Sequence, residues 1–334
     1  MAVKKDKSNY ISFVNEKSIK KKTAIPKKKI KPKISLFTYI KENKYNLLKN
    51  LKHFFIASFG VLFSLLISIL IFPDNIGLFT IILTTLFLMP HVYKQSKYTQ
   101  LLFGRSKKFE EKGITMVEMS TPKTSFFRFN QLYNENKNLV DLLLIFFLGV
   151  FVTVMLFILI APFQVSSNAF STVGWDNNLV PSKEIGFENQ DKMISFKEIF
   201  INNLSVIFVC FLFALIFPSA GILIIVWNAI LWGVVFTQYI SLYSLVYNVS
   251  FSSVFLAVFW SSIPHIFLEA TGYFFSTIAG IILAISLKTD RNDIDRLSLI
   301  LKYVVVLLGF AIFFAIAGSF FEVYFFDIFK NLFL

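Results

Sequence analysis

Hydrophobic residues in this chain come in long blocks, not in the two-residue alternation of a half-buried strand or the narrow stripe of a surface helix. Seven such blocks stand out: Leu51–Phe72, Ile76–Tyr93, Leu139–Pro162, Ile199–Phe217, Ser219–Tyr247, Phe251–Leu287 and Ile300–Phe329. Crossing a hydrocarbon core takes roughly 20 residues of helix. Lipid offers the backbone no partner, so a segment that crosses must satisfy its own N–H and C=O groups as a helix. The pattern predicts an all-α, polytopic transmembrane helix bundle of about seven spans.

The sixth block is too long for one span. Its 37 residues would make a helix of about 55 Å, against a core of about 30 Å. Pro264 is the expected break, because proline suits the first turn of a helix and disrupts its interior. Phe251–Ile263 is then expected as a short outer interfacial or re-entrant helix, and the true span as starting near Pro264. Outside the spans the sequence divides into a basic tail over residues 1–50, expected to be disordered, and a two-span hairpin over 51–93. A linker over 94–138 follows, then a five-span membrane domain over 139–334 that contains a hydrophilic loop over 163–198.

Composition agrees with a membrane protein: 56% of residues are hydrophobic, 16% are charged, and the mean hydropathy is +0.67. The distribution of charge adds orientation. Of 33 Lys and Arg residues, 16 lie at or before Lys52, nine in the 94–138 linker and four in the 288–302 loop. The 163–198 loop carries three, against the five acids Asp176, Glu184, Glu188, Asp191 and Glu198. By the positive-inside rule the N-terminus is cytoplasmic, the C-terminus lies outside, and 29 of the 33 basic residues fall inside. The expected location is the cell membrane. The Lys-rich tail is suited to anionic lipid headgroups. No folded recognition motif accompanies it, so nucleic acid is not the expected partner. Cys210, the single cysteine, excludes an internal disulfide framework.

Against this background the polar residues inside the spans are the candidate chemistry, because an ionisable group in lipid is costly. His265 and Glu269, at i and i+4, share a helix face that continues through Gly272, Ser276 and Ala279, small residues that let membrane helices approach closely. Ala311, Ala315, Gly318 and Glu322 repeat the construction on the last span. Counted from the cytoplasmic ends, His265 and Glu322 both stand 22 residues up, about 33 Å, so the two are expected to meet, with His265 donating to one or both carboxylates. Asn202 and Asn203 open the fourth span on the same side, Gln238 stands about as high on the fifth, and Asn228 lies lower. Each of these residues either joins helices or forms a site.

The stretches "FINNLSVIFVCFLFALIFPSAGILIIVWNAILWGVVF", "PHIFLEATGYFFSTIAGIILA" and "AIAGSFFEVYF" resemble the stage II sporulation protein M family over about residues 138–334. Asn202, Asn203, Asn228, His265, Glu269 and Glu322 match its polar positions in order and spacing, while Ala229 and Ile266 stand where glycines are usual. The resemblance implies an integral membrane protein. In endospore formers it also implies a part beside cell-wall hydrolases, but the extra spans and tail here do not point to sporulation.

Three functions remain open at this level. The first is a membrane scaffold or assembly partner in cell-envelope or membrane remodelling, with a membrane or envelope protein as partner and no catalytic residue, metal or cofactor. The second is a transporter or channel component with a polar intramembrane site. The third is an intramembrane metal-dependent enzyme using His265, Glu269 and Glu322, although the His-Glu-x-x-His spacing of metalloproteases is absent. The orientation has a direct test. In intact cells a cysteine placed at Asn177 should react with an impermeant thiol reagent, and one at Ser106 should be protected. The reverse pattern would invert the topology.

Overall fold

Where an apolar block runs into a proline at its end, the helix ends too. In the computed structural model, which describes residues 36–104, 129–173, 191–247, 250–289 and 291–333, the described residues form α-helices joined by short turns. The helices are α1 (Leu36–Ile71), α2 (Ile76–Gly104), α3 (Phe129–Ile160), α4 (Phe163–Phe170), α5 (Lys192–Ile216), α6 (Ile222–Tyr247), α7 (Phe251–Thr289) and α8 (Ile294–Phe333). Seven of them, all but α4, are long and apolar enough to cross a membrane. The all-helical, seven-span architecture read from the hydrophobic blocks is therefore the observed one.

Boundaries follow local chemistry. Pro73–Asn75 form a 3-10 turn between α1 and α2. Pro218 follows Phe217, the C-cap of α5, and cannot extend the helix, so the chain turns through Phe217–Gly221 into α6. At the start of α5, Asp191 Oδ1 accepts from the backbone N–H of Met193 (2.9 Å) and Ile194 (3.3 Å), satisfying two of the four orphan donors of a helix N-terminus. That cap starts α5 seven residues before the expected Ile199. Asn203 therefore falls near the middle of the helix rather than at its opening.

The domain divisions shift in the same way. Helix α1 begins at Leu36, inside the stretch assigned to the tail, because Pro32 is the last proline before Pro73 and nothing between them stops a helix. Residues 1–45 group as a separate unit from Asn46–Leu334, and residues 1–35 of the expected tail lie outside the described residues. So do 105–128 of the linker and 174–190 of the outer loop. The described start of that loop is packed, not free: within α4 and the turn after it, Ser166, Ala169, Phe170 and Val173 are buried, and Gly77 of α2 lies against Val173 and the Ala169 carbonyl.

Within Asn46–Leu334, α7 is the central helix. It packs most extensively on α8, then on α5 and α6, with further contacts to α2 and α3. From Gly272 to Leu283 every one of its residues is buried. Small residues make that possible, as expected from the face carrying Gly272, Ser276 and Ala279. A Cβ at Gly272 would stand 2.9 Å from the Ala311 carbonyl oxygen of α8, and one at Gly318 of α8 would stand 2.7 Å from Glu269 Cγ. Gly280 meets α5 instead, against Ala214 and the Phe211 carbonyl. The Ser276 hydroxyl donates to the Ile207 carbonyl of α5.

The expected break at Pro264 is not there. Helix α7 runs unbroken through it for 39 residues. Proline removes one backbone donor and its ring crowds the carbonyl a turn back, yet membrane helices accommodate this when neighbouring side chains take up backbone groups. Around the proline, His265 Nδ1 lies 3.1 Å from the Ser261 carbonyl and Ser261 Oγ donates to the Ala257 carbonyl (2.7 Å), neither of them the Trp260 carbonyl that a Pro264 N–H would have bonded. The surplus length is not resolved by a break. Both α7 and α8, at 39 and 40 residues, are about 60 Å long, twice the hydrocarbon core.

The close approach of α7 and α8 should be intolerant of bulk. Gly318→Leu should lower the thermal stability of the detergent-purified protein by about 1–3 kcal/mol through overpacking. Gly309→Leu, at a position on the same helix where an added Cβ would meet nothing within 4 Å, should leave it nearly unchanged. Equal effects at the two positions would contradict the packing described.

Candidate functional site

Three helices meet around one amide. Asn203 of α5 is 2% exposed, and adjacent residues on a helix point about 100° apart, so its neighbour Asn202 faces outward and is exposed. Asn202 is therefore not part of the expected cluster. The Asn203 Nδ2 donates to Glu269 Oε1 of α7 at 2.6 Å and to Ser319 Oγ of α8 at 3.2 Å. Its Oδ1 accepts from the Tyr273 hydroxyl of α7 at 2.7 Å. Ser319 in turn donates to the Ala315 carbonyl at 2.9 Å. Both amide hydrogens of Asn203 and one lone pair of its oxygen are engaged.

Glu269 and Tyr273 lie one turn apart on the face of α7 that continues to Ser276, and both are 2% exposed. Glu322 of α8 is close enough to act electrostatically on Glu269 and on Tyr239 of α6. The two carboxylates are thus neighbours. Glu269 takes a hydrogen bond from Asn203, whereas Glu322 forms none among the described residues. No ion pair joins the two carboxylates to a lysine, arginine or histidine among the described residues.

The predicted donation from His265 is not observed. A carbonyl oxygen can only accept, so the contact of Nδ1 with Ser261 O makes Nδ1 the protonated nitrogen of the neutral ring. Nε2 is then bare, buried and without a partner, beside the Trp232 ring of α6 at 5.2 Å between centroids. The N–H that was to reach the carboxylates is committed to the helix's own backbone next to Pro264. His265 is 1% exposed and packs against α8, where Gly318 approaches its carbonyl. It is part of the α6–α7–α8 contact but not of the hydrogen-bonded network.

The two remaining candidates stand apart. Asn228 is 7% exposed, and its Nδ2 donates to the Ile224 carbonyl of its own helix at 2.8 Å. Gln238 is buried on α6 and bonds to no member of the network among the described residues. Tyr273 and Ser319 are the members that sequence reasoning missed. Tyr273 stands at i+4 from Glu269 and Ser319 at i−3 from Glu322, so the helical spacing that grouped the acids already contained them. Among the described residues, no group of three His, Cys, Asp or Glu that could hold a metal ion occurs.

A family model described as Stage II sporulation protein M matches residues 142–325. Asn203, Asn228, His265, Glu269, Tyr273, Ser319 and Glu322 all fall within the match, and α1 and α2 precede it. No curated protein and no solved structure matches the chain.

The geometry separates two adjacent asparagines. Asn203→Leu removes partners from Glu269, Ser319 and Tyr273 together and should cost about 1–3 kcal/mol in thermal unfolding of the purified protein. Asn202→Leu, at an exposed position, should stay within about 0.5 kcal/mol. Equal losses would mean that the network does not support the fold.

Proposed function

The chain belongs to the stage II sporulation protein M family, and we propose that it works in the cell membrane as a non-enzymatic scaffold or assembly partner in envelope or membrane remodelling. The observation that carries this is the closed network around Asn203. Its donors and acceptors meet one another across α5, α7 and α8, which suits a lock between helices better than a path that must exchange water or ions. The orientation is the one with 29 of 33 basic residues inside. The Lys-rich tail then faces anionic headgroups, and the 163–198 loop faces a membrane or envelope protein outside.

One observation favours a second reading, a transporter or channel component. The Glu322 carboxyl has no hydrogen bond among the described residues and faces a second carboxyl. Ionisable residues within membrane spans mark proton and ion paths. Flux decides between the two. Reconstituted in vesicles under an imposed proton or cation gradient, the protein should carry no more than protein-free vesicles. Crosslinking in native membranes should recover it with a defined membrane or envelope protein. Gradient-driven flux that Glu322→Gln abolishes would replace the scaffold by the transporter.

A further inference from the structure

Besides His265, the chain has two histidines, and the fold brings them together. His53 of α1 and His91 of α2 have ring centroids 6.5 Å apart and nearly perpendicular planes. Both stand edge-on to Phe146 of α3, at 5.9 and 6.0 Å. His53 is six residues from the start of its span and His91 five from the end of its own, so both lie about 8–9 Å in from the same end of the hairpin. Helix α1 is held against its neighbours there and beyond, by Gly149 on the Phe54 carbonyl and Gly60 on the Phe87 ring.

Both rings are half-buried and the Nδ1 of each is enclosed; that of His53 has no hydrogen-bond partner, while the Phe87 carbonyl, a turn back on α2, acts on His91. A neutral imidazole carries one N–H. In His53, with Nδ1 enclosed and unpaired, that N–H is better placed on Nε2, the nitrogen left to the open part of the ring. The charged residues that act on the pair are all lysines: Lys49 and Lys52 on His53, and Lys52 and Lys94 on His91. Lys52 and Lys94 are exposed at this end of the hairpin.

Such a group of donors repels cations, and it lacks a third metal ligand among the described residues. It suits an anion. The exposed lysines at the end of the hairpin select which anion, because basic pockets between transmembrane helices at a membrane face hold lipid headgroups. We infer that His53, packed on His91, binds with Lys49, Lys52 and Lys94 the headgroup phosphate of an anionic phospholipid. The His53 N–H and the ammonium groups donate to the phosphate oxygens, and the positive charge of the lysines complements the negative charge of the lipid. The site precedes the family match at residues 142–325 except for Phe146, and it is independent of the scaffold reading.

The test uses the full-length purified protein in neutral detergent, with thermal stability followed as lipid is added. Phosphatidylglycerol should raise the Tm in a saturable manner, while phosphatidylcholine and soluble glycerol phosphate at the same concentration should not. The His53→Phe, His91→Phe double variant keeps the aromatic packing on Phe146 and removes the imidazole N–H. Its apparent affinity for phosphatidylglycerol should fall at least about tenfold, with the Tm in phosphatidylcholine unchanged. If that variant does not fold, Lys52→Gln, Lys94→Gln is read in the same way and should show the same loss. The tail is present in every sample, so its own attraction to lipid cancels in the comparison. An unchanged phosphatidylglycerol response in the variants would overturn the site. Equal stabilisation by phosphatidylcholine would overturn it too, and equal stabilisation by glycerol phosphate would assign it to a soluble phosphate instead.

Discussion

The Asn203 side chain is the polar interaction on which the arrangement of α5, α7 and α8 depends. In lipid the hydrophobic effect does not hold helices together, so association rests on close packing and on polar groups that find partners. One amide here reaches two helices at once, through Glu269 and Tyr273 on α7 and Ser319 on α8. Removing it strands several buried groups together, and a stranded buried group costs more than a made bond gains. That asymmetry makes the network a device for specifying one packing arrangement.

The network requires close helices, and the small residues supply them. Gly318 lets α8 come against Glu269 and the His265 carbonyl, and Gly272 lets α7 come against Ala311. At Gly280, α7 turns its small face to α5. Polar contacts and small residues are thus two halves of one construction: the glycines bring α7 close to α8 and to α5, and the carboxyl on α7 bonds the amide on α5 directly. Pro264 belongs to the same construction. It leaves α7 continuous, and the neighbouring His265 ring turns its N–H to the Ser261 carbonyl.

The seven spans were legible because hydrophobic length is a constraint that lipid imposes directly. The shared face of Glu269, Gly272 and Ser276 was legible because helical spacing fixes it. Pairing across helices was less so. The residue count brought His265 and Glu322 to one level and assigned the donor to His265, whereas the donor to Glu269 is Asn203. A helix-local interaction, His265 with its own backbone, took the proton that a residue count could only allot by proximity. Asn202 was indistinguishable from Asn203 until the rotation of α5 was known. The meeting of His53 and His91 could not be read at all, because it depends on how α1 docks on α2 and α3.

The most direct measurement of the central claim is a double-mutant cycle between Asn203→Leu and Glu269→Gln, read as thermal or denaturant stability in one detergent. If the amide holds α5 to α7 through that carboxyl, the two changes will not add, and the coupling will be about 1 kcal/mol or more. Additive losses, with coupling indistinguishable from zero, would contradict it and leave α5, α7 and α8 held by packing alone.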